Sequence, residues 1–421
     1  MNIGPTRRHV IAGLAASSLI LPASAQTVSA RLLVVGGGFG GMIAARRLKS
    51  LLPSASVQLI EPRSVYHACP FSNLVVAGER PLSAQAFGYD VLGDEGVEHI
   101  RAAAVDVDPS AQTVSLDNGN TLQYDKLVLS PGVDIRWNAL EGYDETVAEI
   151  MPHAWKAGTQ TTLLKQQLAG MDDGGLVVMS VPAAPYRCPP GPYERASLIA
   201  HFLKTHKPKS RLIVLDSKDS FSKKPLFQEA WASHYPDHLE WRGLSNDGRV
   251  GRVIASEMTL ETDFESFRAA VANVIPPQKA AMIAERAGVA DRSGWCPVNA
   301  LNFESTLQAN IHVIGDANIV SPMPKSAFSA NLQGKLCALQ IARSLSGLSV
   351  EPTTLLNTCY SYTTPDEAIS VVGVYRNKTD EFSSVPGAGG ISPMDAGAEI
   401  RGQEALQAQD WFRAITGETF G

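Results

Sequence analysis

The stretch Arg31–Pro62, RLLVVGGGFGGMIAARRLKSLLPSASVQLIEP, predicts a dinucleotide-binding βαβ unit. An apolar strand runs into a glycine-rich turn, an alanine-rich helix follows, and a second strand ends in an acid. Gly36 allows the tight turn, Gly38 lets backbone N–H groups approach a pyrophosphate at the helix N-terminus, and Gly41 lets helix and strand pack closely. Glu61 ends the second strand and can accept hydrogen bonds from a ribose 2′-hydroxyl, which favours FAD or NAD over NADP.

Residues 1–25 are predicted to be an export signal rather than part of the fold. Arg7 and Arg8 precede an apolar run from Val10 to Leu21, and Ala23-Ser24-Ala25 supplies a cleavage site. The apolar run is shorter than the ~20 residues that a membrane-spanning helix requires. This pattern is typical of twin-arginine export, so we expect a periplasmic protein that folds around its cofactor before export.

Composition narrows the remaining possibilities. The chain has 421 residues, 44% of them hydrophobic, which predicts two or three domains with sizeable cores. The formal net charge of −6 argues against nucleic acid as a partner. Beyond residue 30 no stretch is long and apolar enough to predict a membrane span. The five cysteines form no CxxC pair and no CxxCH haem motif, and we assign no metal site.

Cys69 lies on the loop that follows the nucleotide-binding unit, in Tyr66-His67-Ala68-Cys69-Pro70-Phe71. Its position after Glu61 predicts a place beside the cofactor. A free cysteine is also commonly a small buried apolar residue. These residues by themselves leave both interpretations open.

Further along the chain is another strand, Gly175–Val181, where a pyridine-nucleotide flavoenzyme would bind NAD(P)H. The turn after it holds Pro182, Pro185, Pro189 and Pro190 in place of glycines. Proline has no N–H group and a fixed φ, so this turn cannot bind a pyrophosphate. We therefore predict a Rossmann-like domain in which a cysteine site at Cys188 replaces the nicotinamide site, and electrons that reach the flavin from another donor.

A second flavin signal is the strand that ends in Gly315-Asp316. Asp316 is placed to hydrogen-bond a ribityl hydroxyl, and the following helix can direct its N-terminus at the isoalloxazine. Lys325, near that helix start, is either a residue that stabilises negative charge on reduced flavin or a solvated surface lysine.

These elements predict an α/β protein with two Rossmann-like dinucleotide-binding domains and a C-terminal α+β interface domain. The predicted parts are the export signal 1–25, the first part of the FAD-binding domain 30–150, the second Rossmann-like domain without an NAD(P) site 151–265, the second part of the FAD-binding domain 266–346, and the C-terminal domain 347–421.

Several motifs, taken together, resemble the flavoprotein subunit of flavocytochrome c sulfide dehydrogenase, including related flavoproteins of bacterial sulfur oxidation. They are Cys69-Pro-Phe-Ser-Asn73, Arg187-Cys-Pro-Pro-Gly-Pro-Tyr-Glu-Arg-Ala-Ser197, Gly294-Trp-Cys-Pro-Val298, Gly315-Asp-Ala317, Met323-Pro-Lys-Ser326 and Leu356-Asn-Thr-Cys-Tyr-Ser361. The resemblance covers essentially the whole mature chain and implies a fold of the disulfide-reductase-like flavoprotein type. One departure is Asn318, where some relatives have cysteine.

The resemblance implies specific roles for the site residues. Cys69 would carry FAD through an 8α-thioether, Cys188 and Cys359 would form a redox-active disulfide against the flavin, and Glu194 would lie near it. Cys337 is expected to be a core residue, whereas Cys296 receives no role.

The implied activity is oxidation of hydrosulfide to zero-valent sulfur or polysulfide. Hydrosulfide would open the disulfide, and two electrons would pass to FAD and then singly to a separate c-type cytochrome. Two alternatives are a sulfide:quinone reductase and an accessory redox flavoprotein of a sulfur-carrier complex.

Overall fold

A computed structural model describes residues 28–378 and 381–421, so the predicted export signal lies outside the described residues. The first part of the nucleotide domain contains β1 (Arg31–Val35), α1 (Phe39–Leu51), β2 (Ser56–Ile60), β3 (Tyr66–His67), α2 (Ser72–Val76), β4 (Ala86–Phe87), α3 (Val91–Asp94), β5 (Glu98–Ile100), β6 (Ala104–Asp108), β7 (Thr113–Leu116), β8 (Thr121–Gln123), β9 (Lys126–Leu129) and β10 (Val133–Ile135).

The second domain has its own parallel sheet. Its elements are α4 (Thr159–Gly170), β11 (Leu176–Val181), α5 (Gly191–His206), β12 (Arg211–Asp216), α6 (Lys224–His234), β13 (Leu239–Arg242), β14 (Arg252–Ile254), β15 (Thr259–Glu261), β16 (Ser266–Arg268) and β17 (Val271–Val274). The central sheet has the order β13-β12-β11-β17, and β14, β15 and β16 form a separate antiparallel sheet. Residues 266–274 therefore belong to this domain, although the sequence interpretation placed them in the second part of the FAD-binding domain.

The chain then returns to the first domain and ends in a third unit. The returning elements are β18 (Gln278–Ala280), α7 (Met282–Arg286), β19 (Cys296–Pro297), β20 (Ile311–Val313), β21 (Asn318–Ile319) and α8 (Ala327–Leu345). The C-terminal unit contains β22 (Thr354–Thr364), β23 (Glu367–Asn377), β24 (Phe382–Ser384), β25 (Gly390–Ile391) and α9 (Ala398–Phe420). It is an antiparallel sheet, β22-β23-β24 with β25 on β23, covered by α9.

The five-stranded sheet of the first domain explains how distant residues meet at one edge. Its order is β20-β9-β1-β2-β5. Parallel pairing sets Val35 beside Ile60 and Leu129, and Leu129 beside Val313. The carboxyl ends of these strands therefore bring the glycine-rich turn, Glu61 and Gly315 to the same crevice, which is where open α/β sheets bind ligands.

Two glycines of the turn are required by close backbone contacts. Gly36 has φ +98°, and a Cβ there would lie 2.3 Å from the carbonyl oxygen of Ser130. A Cβ on Gly41 would lie 1.9 Å from the carbonyl oxygen of Gly36. A larger residue at Gly36 would collide with the backbone that follows β9, and one at Gly41 would push α1 away from the turn. The predicted α/β fold with two Rossmann-like domains is thus confirmed.

Candidate active site

Residues from all three units line one cavity of about 440 Å³. Most of the residues that the sequence singled out are among its walls: Gly36, Gly38, Glu61, Cys69, Cys188, Glu194, Gly315, Asp316 and Cys359. Gly41 lies behind them, where it allows α1 to pack against the turn. Cys188 and Cys359 are distant in the sequence, yet the fold brings both to the cavity that begins at the glycine-rich turn.

The nucleotide end of the cavity is organised by Glu61. Its carboxylate accepts a hydrogen bond from the N–H of Gly37 at 3.0 Å and is paired with Arg63, whose Nε lies 2.7 Å away. Burial opposes ionisation of Glu61, but the hydrogen bonds and charge of Arg63 outweigh it and hold the pKa of this carboxyl below its usual range. An ionised acid here fits a ribose 2′-hydroxyl.

Asp316 follows β20 at the same edge of the sheet as Glu61, and it provides a test of whether a flavin fits. Its Oδ1 is buried and has no hydrogen-bond partner among the described residues, although the residue lines the cavity. Burial raises the pKa of Asp316, against the positive charges of Arg187 and Lys325. A buried polar atom without a partner is costly, and a ribityl hydroxyl would supply the missing donor. The unpaired oxygen and the glycine-rich turn both fit FAD.

Cys69 lines the cavity on a loop held from behind by Gln85. The fully buried Gln85 donates from Nε2 to the carbonyl oxygens of Ala68 and Pro70, the residues on either side of Cys69. Arg80 in turn donates to Oε1 of Gln85 at 2.8 Å. The loop therefore holds Cys69 at the cavity wall, and its place beside the cofactor stays a prediction.

Cys188 occupies a strained position in the turn after β11. It has φ 57°, in the left-handed region, and its N–H donates to the carbonyl oxygen of Lys325 at 2.8 Å. A Cβ on Gly191, the first residue of α5, would lie 3.0 Å from the Cys188 sulfur. Non-glycine residues adopt this conformation only where surrounding contacts impose it. The turn thus directs the cysteine into the cavity.

Cys359, on β22, faces the same cavity, and the two thiols are not bonded to each other in this structure. Burial raises the pKa of both thiols. Two charged side chains act on both of them: Glu194 raises the pKa of each thiol, and Lys223 lowers it. The predicted disulfide between them stays a prediction.

Glu194, in the first turn of α5, connects the cysteine end of the cavity to the Cys69 loop. Its carboxylate accepts hydrogen bonds from the backbone N–H of Tyr362 at 2.9 Å and from Nδ2 of Asn73 at 2.6 Å. Asn73 Oδ1 accepts from Nε of the buried Arg195 at 3.0 Å. Burial raises the pKa of Glu194, while these donors and the charge of Lys223 oppose the shift. A carboxyl in this environment can hold a proton beside Cys188.

Sequence reasoning missed Asn73, Arg195 and Lys223 as functional residues. Asn73 and Arg195 stand inside the quoted family motifs, so the motifs carried a signal. Lys223 stands in no motif, and only the tertiary structure places it behind Cys359.

Lys325 does not line the cavity. Its ammonium donates to the carbonyl oxygens of Asp316 and Asn318 at 2.8 and 2.5 Å and lies 4.0 Å from the centre of the Trp295 ring. Burial lowers its pKa to about 8. Lys325 thus braces the backbone at Asp316 and is not a solvated surface lysine, and its predicted effect on a reduced flavin stays a prediction.

The other two cysteines are buried away from the cavity. Cys337 is fully buried in the core of the first domain, on α8, and Cys296 is fully buried on β19 beside the Lys325 charge.

The second Rossmann-like domain has side chains where a nucleotide would bind. Asp216 ends its second strand, the position that Glu61 holds in the first domain, yet it is fully buried. It accepts hydrogen bonds from Tyr193 Oη at 2.7 Å, Trp241 Nε1 at 3.1 Å and Lys218 Nζ at 2.6 Å. Phe221 stacks on Tyr193 with ring centroids 3.5 Å apart. This acid is therefore fully occupied by protein donors and aromatic packing.

Comparison with known proteins identifies the family. A model described as "Sulfide dehydrogenase [flavocytochrome c] flavoprotein chain, central" matches residues 161–276, one described as "Flavocytochrome c sulphide dehydrogenase, flavin-binding" matches 351–420, and "Pyridine nucleotide-disulphide oxidoreductase" matches 30–169. The sulfide dehydrogenase flavoprotein chain of Chlorobaculum thiosulfatiphilum is 56% identical over 45 residues, which are 11% of this chain and 94% of that sequence. The chain belongs to the flavocytochrome c sulfide dehydrogenase flavoprotein family.

The chain is also similar to sulfide:quinone oxidoreductases. The mitochondrial protein of Mus musculus is 24% identical over 323 residues, covering 72% of this chain and 68% of that one. The crystal structure of the Aquifex aeolicus protein has a TM-score of 0.70 at 17% identity and covers 92% of both chains. The predicted family, fold type and flavin binding are thus confirmed for a sulfide-oxidising flavoprotein, and the electron acceptor is left open.

No helix in 28–378 or 381–421 combines the length and apolarity of a membrane span. Within the same ranges, His, Cys, Asp and Glu side chains form no group of three or more suited to a metal ion.

Proposed function

We propose that this protein is a periplasmic sulfide dehydrogenase that oxidises hydrosulfide to zero-valent sulfur or polysulfide and passes the electrons through FAD to a c-type cytochrome. The observation that carries the proposal is the meeting of Cys188 and Cys359 in the cavity that starts at the glycine-rich turn and contains Asp316. A pair of thiols and a flavin site in one cavity suits oxidation of a sulfur nucleophile.

The cysteine pair, when joined as a disulfide, would react by exchange. The hydrosulfide sulfur bonds to one cysteine sulfur, the Cys188–Cys359 bond breaks, and its electron pair stays on the other sulfur as a thiolate. The products are one persulfide and one thiolate, so atoms and charge balance. FAD, when bound, supplies a two-electron acceptor that can return electrons one at a time.

Other residues of the chain prepare the site. Glu194 can take up the proton of the persulfide, because burial raises its pKa and its carboxylate is held beside the cysteines by Tyr362 N–H and Asn73. Cys69 is the proposed point of covalent FAD attachment, and Gln85 holds its loop in place. Export by the twin-arginine route would place this chemistry in the periplasm.

The filled site in the second domain supports a donor other than NAD(P)H. Pro182, Pro185 and Pro189 deprive its turn of N–H groups, and Asp216 is occupied by protein donors. The turn that contains Cys188 can therefore occupy the place where a nicotinamide would bind in a pyridine-nucleotide flavoenzyme.

The second candidate is a sulfide:quinone reductase, which the related Mus musculus and Aquifex aeolicus proteins favour. An accessory redox role in a sulfur-carrier complex is a third possibility and would show as negligible sulfide turnover. The deciding experiment is anaerobic reduction of the purified holoprotein by sulfide, followed by mixing with cytochrome c or decylubiquinone. Rapid reoxidation by cytochrome c alone is expected, whereas reoxidation by the quinone alone would contradict the proposed acceptor.

A further inference from the structure

Lys223 is a buried cation whose hydrogen bonds, within the part of the chain that the structure describes, all go to neutral groups. It precedes α6, is 5% exposed, and its Nζ donates to the Cys359 carbonyl oxygen at 3.3 Å, Ser361 Oγ at 2.9 Å and the Ile369 carbonyl oxygen at 3.2 Å. Buried charges are ordinarily paired, because an isolated one loses its hydration. The placement therefore suits a negative charge that arises in this cluster.

The charged and titratable neighbours of Lys223 are Cys359, Glu194, Cys188 and Glu404, which act on it through space without a hydrogen bond. Glu404 is engaged by two serine hydroxyls on the far side of the sheet. Glu194 bonds to the N–H of Tyr362. The cysteines are the members of this cluster that gain charge when a disulfide opens.

The sulfur of Cys359 has a second stabilising contact. Nδ2 of Asn357 lies 3.3 Å from it in hydrogen-bonding geometry. The hydroxyls of Ser326 and Ser329 donate to Oδ1 of Asn357 at 2.5 and 3.1 Å, which turns the amide N–H groups toward Cys359. An N–H donor and a nearby ammonium together form an environment for an anion.

We propose that Lys223 supplies the positive charge that stabilises anionic sulfur at Cys359 when the cysteine pair is opened. The inference rests on the proposed function and names a residue that acts through Cys359 rather than by touching substrate. In the exchange step, hydrosulfide forms one S–S bond as the cysteine disulfide breaks. Cys359 then carries either the displaced thiolate or a persulfide that has lost its proton to Glu194.

The test compares Lys223→Met, which keeps length and removes charge, with Lys223→Arg, which keeps the charge. Lys224→Met is the matched control, because the Lys224 ammonium points to the carbonyl oxygen of Asp219 at 2.8 Å, away from the cysteines. Stopped-flow reduction of bound flavin by sulfide should slow about tenfold or more in Lys223→Met, since an adjacent opposite charge shifts such equilibria by one or more powers of ten. The arginine variant should recover most of the rate, and the control should match the wild type.

The pH profile separates a charge effect from a packing effect. Burial lowers the pKa of Lys223 to about 8, so the ammonium is present below that pH and lost above it. After correction for ionisation of hydrogen sulfide, the wild-type rate should fall as pH rises through this value, and Lys223→Met should lack this fall. If Lys223→Met does not fold, Lys223→Gln, which retains an N–H donor, takes its place, and the wild-type profile is tested independently.

The inference is overturned if Lys223→Met reduces its flavin at the same rate and with the same pH profile as the wild type. It is also overturned if the wild-type rate does not fall as pH rises through the pKa of Lys223. Either result would leave sulfide oxidation intact. Failure of sulfide to reduce the wild-type flavin would instead overturn the proposed function. The two failures are thus distinguishable.

Discussion

Asp316 should affect cofactor binding and apoprotein stability in opposite directions. Asp316 lines the cavity, its buried Oδ1 is unpaired among the described residues, and burial is the largest influence on its pKa. A hydrogen bond to a charged group contributes about 1.5–3 kcal/mol, and leaving a buried group unsatisfied costs about 1–3 kcal/mol. In a Cys69→Ser background, where FAD is expected to exchange, Asp316→Ala should weaken FAD binding about 10- to 100-fold. The same change should stabilise the apoprotein by about 1–3 kcal/mol.

The assay is a titration of apoprotein with FAD, followed by flavin fluorescence, together with urea unfolding of the apoprotein. Asp316→Asn is the control that keeps an oxygen acceptor without the charge. Because the folded-state pKa of Asp316 is raised, the folded protein binds the proton more tightly than the unfolded chain does. The apoprotein should therefore gain stability as pH falls through that raised pKa, relative to Asp316→Asn. An FAD affinity within about threefold of the parent, or a destabilised apoprotein, would refute the argument.

Three further predictions concern the cysteines and the electron donor. Acid-precipitated wild-type protein should stay yellow and yield a flavin peptide containing Cys69, whereas complete release of flavin into the supernatant would make Cys69 a packing residue. NADH and NADPH should leave the flavin oxidised, because donors within the protein occupy Asp216; anaerobic bleaching by NADH would contradict this. Cys188→Ser and Cys359→Ser should each keep fold and flavin yet lose sulfide-dependent reduction by orders of magnitude. A purely structural disulfide would instead cost a few kcal/mol of stability and leave the rate near normal.

Local features of the chain determined the first nucleotide site. The βαβ unit spans about thirty residues, and its glycines are required by contacts within it and with the adjacent strand, such as the approach of Gly41 to the carbonyl oxygen of Gly36. The proline-rich turn that excludes a pyrophosphate is equally local, since proline lacks its N–H group in any fold. Motif resemblance added Cys69, Cys359 and Glu194, which all line the cavity.

Tertiary structure decided features that depend on which distant segments meet. Strand β17 pairs with β11 in the sheet of the second domain. Its apolar sequence alone does not determine which of the two parallel sheets it joins. Lys325 turns toward backbone carbonyl groups, although its sequence position near a helix start permitted a contact with the flavin.

Lys223 shows the same division most clearly. In sequence it is one of two adjacent lysines, and its neighbour Lys224 stays near the surface. Long-range packing of α6 against β22 buries Lys223 and sets its ammonium on the carbonyl oxygen of Cys359. The sequence by itself therefore determined the fold class, the nucleotide-binding turn and the family. Only the assembled structure decided which charges surround the cysteines, because electrostatic environment depends on distances between residues remote in the chain.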